Sequence, residues 1–393
     1  MLQEKPRIAA FSLAFSPFEG GAEVAAREII KQLPGYSFSI FTYKFDEAWP
    51  EKESEANYEI IRVGRGKREN GKYGRILDKI AYVHKAWQEA EKSHKKGNFK
   101  AIWAIMASYG GIAALFFKLR HPEIPMLLTV QEGDSERHLI FGKFGLVGFF
   151  GKWIIKKADF IQAISNYLKN FAAKRGARCP IKVIPNGVNM ELFGKKYSDE
   201  ELNSLRKNTE ITDEYVIVTT SRLVYKNGAD ILIGAVGILK KRIPNLKCLI
   251  IGDGPERHKL EVQSEKLGIK KNVLFLGQMK QEDTVAYLKI ADVFVRASRS
   301  EGLGNSFLEA MAAGIPVIGT PVGGITDFLS DGKTGLVTEP ENHEMLADKI
   351  LELVRDKHIR KQIVANGQDL IRRNYTWDSI GEKFREIFSK LIK

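Results

Sequence analysis

The segment Ser300-Glu301-Gly302-Leu303-Gly304-Asn305-Ser306-Phe307-Leu308-Glu309 gathers groups able to hold a phosphorylated sugar. Gly302 and Gly304 let backbone approach a ligand closely. They lead into an expected helix whose first-turn N–H groups and partial positive charge suit a phosphate. Glu301 follows an expected buried strand and precedes glycines, a setting in which a carboxylate needs hydroxyl partners, such as those of a sugar or a ribose. Glu309 carries a second reading. Ser306-x-x-Glu309 has the spacing of a capping box, with Ser306 as N-cap and Glu309 at the third helical position.

A second group is Ser221-Arg222-Leu223-Val224-Tyr225-Lys226, just after another expected strand. Arg222 can grip a phosphate bidentately and Lys226 adds a point charge. Two fixed cations would lower the barrier to departure of a nucleoside diphosphate. The same charges also read as an ordinary solvated loop. Phe18-Glu19-Gly20-Gly21-Ala22-Glu23 and Gly252-Asp253-Gly254-Pro255-Glu256 are glycine turns that could pass close to a phosphate, or simply turn the chain. Pro255 suits a first helical position. Neither segment completes G-x-G-x-x-G. The chain has no Asp-x-Asp, Cys–His cluster or Walker motif. A leaving diphosphate would therefore depend on protein cations and a helix N-terminus, and no cofactor or metal is expected.

Positioning these groups requires strands that end where they begin. Apolar runs at Ile8–Leu13, Phe38–Phe41, Ile102–Met106, Met126–Val130 and Phe160–Ile164 predict one sheet. Val216–Thr220, Cys248–Ile251, Val273–Leu276, Val293–Val295 and Val317–Thr320 predict a second. Helical patterns such as Ala22–Leu33, Ala229–Lys241 and Phe307–Ala313 separate them. Continuous apolar strands alternating with helices imply parallel sheets covered on both faces. Between the two series lie Pro185-Asn186-Gly187 and the polar run Gly194–Asp213. The expected division is residues 1–190, 191–375 and a terminal helix at 376–393. Open α/β sheets bind ligands at the carboxyl ends of their strands, which predicts an active site in a cleft between the halves.

The 393 residues are 44% hydrophobic, enough for sizeable cores. Lys plus Arg number 61 against 48 Asp plus Glu, a balance of +13 that favours anionic partners. Two cysteines, Cys179 and Cys248, make no disulfide framework and read as buried thiols in a reducing compartment. Ile8–Phe15 lacks a cleavage site, and Ala101–Phe117 is shorter than the roughly 20 residues of a spanning helix. A cytoplasmic protein is expected.

Together these segments resemble glycosyltransferase family 4, the retaining family with the GT-B fold of two Rossmann-like doubly wound domains facing a central cleft. The likeness rests on FSPFEGGAE, KVIPNGVNMELF, VIVTTSRLVYKNG, LIIGDGPE, NVLFLGQM and the run from ADVFVRASRSEGLGNSFLEAMAAG to DGKTGLV. It implies that Arg222 and Lys226 bind the diphosphate, that Glu309 binds the ribose, and that Glu301 lies near the transferred sugar. Gly20 and Gly21 would approach the donor phosphates. Gln131, Asn186, Gly252, Gly254, Gly302, Leu303, Gly304 and Asn305 complete the implied binding positions. It also implies that the helix from Trp377 to Lys393 returns to the first domain. Two positions depart from the pattern. Asn227 stands where many members have Lys, with Lys226 one residue early. Gln131 stands where many have His, and cannot act as a base; His138 lies seven residues on. A front-face retaining mechanism, in which the leaving phosphate takes the acceptor's proton, fits that absence.

The implied reaction moves a sugar from a nucleotide-sugar donor to a glycan or lipid-linked acceptor, in polysaccharide or glycolipid synthesis. A sugar-nucleotide epimerase of the same fold would need an acid–base pair, and no convincing one stands out. Nucleic-acid binding would need a signature that is absent, so no nucleic-acid partner is expected. An anionic membrane on the inner face of the plasma membrane is a further expected partner. Arg62, Arg65, Lys67, Arg68, Lys72, Arg75 and Lys79 face two acids, and Lys143–Lys157 has four Lys and no acid. There Leu146, Val147, Phe149, Phe150, Trp153 and Ile154 share one helical face, and Gly145, Gly148 and Gly151 another. The aromatic face either meets lipid or packs on the first sheet.

Overall fold

The computed structural model describes residues 5–17, 20–64, 76–134 and 146–392. The chain forms two compact units, Met1–Asn186 with Trp377–Lys393, and Gly187–Thr376.

In the first unit the strands are β1 (Arg7–Phe11), β2 (Ser37–Tyr43), β3 (Lys52–Glu55), β4 (Tyr58–Val63), β5 (Phe99–Ile105), β6 (Met126–Val130), β7 (Phe160–Ala163) and β8 (Ile181–Val183). They pair in the order β3-β4-β2-β1-β5-β6-β7-β8. All pairs are parallel except β3 with β4. That antiparallel edge corrects the expectation of a wholly parallel sheet. Its strand Lys-Glu-Ser-Glu is exposed throughout, so no apolar run announces it. The helices are α1 (Gly21–Lys31), α2 (Ile76–Lys96), α3 (Tyr109–Arg120), α4 (Leu146–Lys157) and α5 (Asn166–Lys174).

The second unit contains α6 (Met190–Phe193), α7 (Asp199–Asn208), β9 (Tyr215–Thr220), α8 (Ala229–Leu239), β10 (Leu246–Ile251), α9 (Arg257–Lys266), β11 (Val273–Gly277), α10 (Gln281–Lys289), β12 (Val293–Arg296), α11 (Asn305–Ala313), β13 (Val317–Gly319), β14 (Leu336–Val337), α12 (His343–Arg355) and α13 (Lys357–Asn374). Its sheet is parallel throughout, in the order β11-β10-β9-β12-β13-β14. Val216, Ile217, Val218, Leu249, Ile250, Val293, Phe294 and Val295 are buried. This is the two-sided burial that continuous apolar strands require.

The last helix, α14 (Trp377–Leu391), belongs to the first unit. Ile380, Phe384, Ile387 and Phe388 join its core with Phe38 and Trp103. Gly381 lies on Gln32 at the end of α1, where any Cβ would collide. Cys248 is buried, but Cys179 is only half-buried, which corrects the reading of two buried thiols.

Candidate functional site

Each sheet reverses its winding once. In the second unit β10 and β11 lie on one side of β9, and β12, β13 and β14 on the other. The loops after β9 and β12 therefore diverge and open a crevice at the strands' carboxyl ends, the place where doubly wound sheets take ligands. Arg222 and Lys226 lie on the first of these loops, Glu301 to Gly304 on the second, and Glu309 in the helix α11 that follows it. Residues some 80 apart in sequence thus flank one switch point.

On the loop after β9, Arg222 is exposed and Lys226 half-buried, the latter in a short 3-10 turn, Tyr225–Asn227. The turn is held across the switch point, because the Arg299 backbone N–H donates to the Lys226 carbonyl at 2.7 Å. The Arg299 guanidinium donates to both Asp230 oxygens at 2.8 Å, pairs with Glu341, donates to the Tyr225 carbonyl and stacks on the Tyr225 ring at 3.9 Å. Burial alone would raise the Asp230 pKa, but Arg299 holds it below the usual carboxylate range. Gly252 and Gly254 pack flush against the same loop. A Cβ at either would collide with the carbonyl oxygen of Ser221 or Leu223. Their close approach is to neighbouring backbone, which is by itself enough to require glycine at both positions. Pro255 precedes α9, which starts at Arg257, so it does not take the first helical position.

On the loop after β12, Glu301, Gly302, Leu303 and Gly304 are buried and Asn305 half-buried. Glu301 pairs with Arg296, the last residue of β12, and accepts a 3.5 Å contact from the Ser298 hydroxyl. The expected capping box is not formed. Helix α11 begins at Asn305 behind a left-handed Gly304, with no side-chain cap. Tertiary partners claim both side chains instead. Ser306 Oγ accepts from Arg296 Nη1 at 2.8 Å, and Glu309 accepts from Gln281 Nε2 at 2.9 Å. Burial pushes the Glu309 carboxyl up to about 7, against the opposing pull of the Gln281 hydrogen bond and the Arg296 charge. Arg296 and Gln281 were not singled out from the sequence. The available signal for Arg296 was a cation ending the apolar strand Val293-Phe294-Val295.

The first unit has its own switch point, between β1 and β5. Gly20 is the N-cap of α1, and Gly21 opens the helix. Glu23, in its first turn, is pushed up to about 7 by burial, with backbone hydrogen bonds opposing. After β6, Gln131 is half-buried and Glu132 buried. The Glu132 carboxylate accepts from the backbone N–H groups of Ala107, at 2.6 Å, and Gln131, at 3.0 Å. Burial raises its pKa. Asn186 is buried at the end of this unit. Phe18, Glu19 and His138 lie outside the described residues.

The same unit bears the basic and aromatic segments. Arg62 is buried and donates to the Ser16 and Pro50 carbonyls and to Glu53. It belongs to the core, which corrects its reading as surface charge. Arg65, Lys67, Arg68, Lys72, Arg75 and Lys143 lie outside the described residues. On α4, Phe149 is 58% exposed and Trp153 47%. Ile154 is buried over Gly111, and Gly151 lies against the Ala107 carbonyl. Gly148 and Gly151 pack inward and take Ile154 with them, which corrects the expected grouping; Gly145 and the side chains of Leu146 and Val147 lie outside the described residues. Lys152 and Lys157 are exposed. Among the described residues, no helix is long and apolar enough to cross a membrane, and no three His, Cys, Asp or Glu gather as a metal site.

Two family models match the chain, Glycosyltransferase Family 4 over residues 19–192 and Glycosyl transferases group 1 over residues 201–370. The chain is 29% identical over 236 residues to the GDP-mannose-dependent alpha-(1-6)-phosphatidylinositol monomannoside mannosyltransferase of Mycobacterium tuberculosis. That match covers 58% of this chain and 61% of the relative, so the chain spans under two thirds of that protein's length. Among solved structures it resembles sucrose-phosphate synthase from Thermosynechococcus elongatus, with a TM-score of 0.83 and 21% identity over 98% of this chain and 99% of that one. It also resembles Anabaena HepE, solved with UDP and glucose, with a TM-score of 0.78 and 22% identity over 98% of this chain and all of that one.

Proposed function

The chain belongs to glycosyltransferase family 4 and has the GT-B fold, and from that premise we propose that it is a retaining hexosyltransferase drawing on a nucleoside diphosphate sugar. One observation carries the reading. The β9/β12 switch point is flanked by Arg222 on the loop after β9, Arg296 at the end of β12, Glu301 on the loop after it, and Glu309 in α11. Arg222 grips the diphosphate, assisted by Lys226 and the α11 N–H groups. Glu309 accepts from the ribose hydroxyls, and Glu301 meets the transferred sugar. The developing phosphate charge is stabilised by fixed protein cations, and the departing phosphate oxygen takes the acceptor's proton. No divalent cation is required, so activity is expected to persist in EDTA. Complete loss, restored by Mg²⁺ or Mn²⁺, would overturn that part.

The donor and acceptor are proposed by class. The mycobacterial relative is named for GDP-mannose and a phosphatidylinositol mannoside, and HepE was solved with UDP and glucose. GDP-mannose and UDP-glucose are the first donors to test, against glycan and lipid-linked acceptors. Calorimetry should find saturable binding of one donor, and a product assay should find transfer. Turnover of donor without acceptor would favour the epimerase reading instead.

A lipid-linked acceptor gives the α3/α4 surface a purpose. Phe116 and Phe150 meet edge to face, Phe149 and Trp153 lie beside them, and Lys152 and Lys157 stand on the same helix. Aromatic side chains flanked by lysines suit the surface of an anionic bilayer. The first unit is proposed to dock there reversibly, from the cytoplasmic side.

A further inference from the structure

Arg296 holds more of the switch point together than any residue the function above assigns. Its Nη1 donates to Ser306 Oγ at 2.8 Å, in the first turn of α11. Its Nη2 donates to Asn227 Oδ1 at 2.9 Å and pairs with Glu301. Asn227 in turn donates from Nδ2 to the Arg222 carbonyl at 2.6 Å. One guanidinium therefore bridges two loops at three points: the Glu301 carboxylate and the helix start after β12, and the backbone that carries Arg222 after β9. The side chains of Arg296 and Glu301 are 11% and 10% exposed.

Asn227 is matched to this arrangement. Its amide accepts from Arg296 and donates to a carbonyl at once, whereas a lysine at 227 has only donors and adds a like charge. Asn227, where many members of the family have Lys, is thus the partner that Arg296 requires at this place. Fold stability is a poor account of the pair. Buried ion pairs are often no better than apolar replacements of equal volume. Arg296 Nε also finds no acceptor among the described residues, a burial cost that a methionine would not carry.

We propose that Arg296 is the positioning residue of the donor site, setting Glu301 for the transferred sugar and, through Asn227, the Arg222 loop for the diphosphate. This rests on the donor reading above. It predicts two separable losses. Arg296→Met frees Glu301, so the extra affinity of a nucleotide sugar over its bare diphosphate disappears. Asn227→Ser keeps the cation but releases the Arg222 backbone, so sugar nucleotide and bare diphosphate weaken together.

The test is calorimetry of UDP, GDP, UDP-glucose and GDP-mannose on wild type, Arg296→Met, Arg296→Lys and Asn227→Ser, with a pH profile for the nucleotide sugar that binds. Arg296→Met should lose about tenfold or more of the sugar-dependent increment. The acidic limb of its profile should move to higher pH, because the Arg296 charge lowers the Glu309 pKa. Arg296→Lys should keep the limb near its wild-type place and recover only part of the increment. Asn227→Ser should weaken both ligand types several-fold without moving the limb. Should Arg296→Met fail to fold, the lysine and serine variants decide. Wild-type ratios and affinities in both would overturn the proposal, as would a lowered Tm in Arg296→Met with its increment and limb unchanged. Absence of nucleotide binding by wild type would overturn the donor reading itself, a result distinct from either.

Discussion

The two units share a plan and differ in what stands at their switch points. In the second, charges lock the loops together: Arg296 with Glu301, Asn227 and Ser306, and Arg299 with Asp230 and Glu341. In the first, Glu132 ties two loops through backbone N–H groups, and Gly20 is an N-cap with no side chain to cap α1. The surfaces differ in the opposite sense. Among the described residues, six of the eight large exposed apolar side chains, Leu77, Ile80, Phe116, Leu119, Phe149 and Trp153, belong to the first unit. One fold thus carries two kinds of surface, and function follows the side chains placed on it. The charge-locked crevice suits a ligand of fixed charge, and the apolar helical surface suits a bilayer.

The sharpest way to break this contrast is Arg222→Ala. Losing a charge-assisted phosphate contact should weaken nucleotide-sugar binding about 10- to 100-fold. Arg222 is exposed, so thermal unfolding should move little. Unchanged affinity would remove the second unit's claim to the diphosphate.

A pH series sharpens the comparison next. Burial pushes the Glu309 carboxyl up to about 7, and the ribose contact proposed for it needs its anion. Affinity should fall up to tenfold per pH unit below that point, and flatten in Glu309→Gln. A nucleotide sugar is the proper probe, since a free diphosphate has a phosphate proton of its own with a pKa near 6. Stability runs the other way. A raised carboxyl pKa contributes stability below the unfolded value of 4.5, which is lost as pH rises through about 7. Glu309→Gln should therefore gain Tm over wild type at pH 8 and gain none at pH 4. A pH-independent affinity would place the ribose elsewhere.

The smallest expected effect is on the first unit. Wild type should float with anionic liposomes at low salt and release as salt rises. Lys152→Glu with Lys157→Glu should abolish flotation, at roughly 1 kcal/mol per lysine, while nucleotide binding stays unchanged. Lys156 is left alone because its stem packs on Gly176. Flotation that survives both changes would mean the helix lysines do not meet lipid.

The sequence showed the strands where buried residues form an unbroken apolar run. Val216 to Thr220 and Met126 to Val130 are continuous apolar runs and are strands in the structure. It hid β3, whose exposed residues carry no pattern, and β4, where Arg62 interrupts Tyr-Glu-Ile-Ile-Arg-Val although it is buried. Local motifs misled where tertiary partners compete. Ser306 and Glu309 have capping-box spacing, yet Arg296 and Gln281 hold them. The glycines of the 252–254 turn are required by the Ser221–Leu223 backbone, a neighbour that only the folded sheet supplies. Arg296 was missed for the same reason: an arginine ending a strand is unremarkable until the loops it bridges come together.

Hydrogen exchange on the full chain, with and without a saturating nucleotide sugar identified by calorimetry, tests the central claim most directly. Donor binding at the β9/β12 switch point predicts slowed exchange in residues 221–228 and 301–309. Saturable binding that leaves both segments unprotected, with protection confined to the first unit, would contradict it.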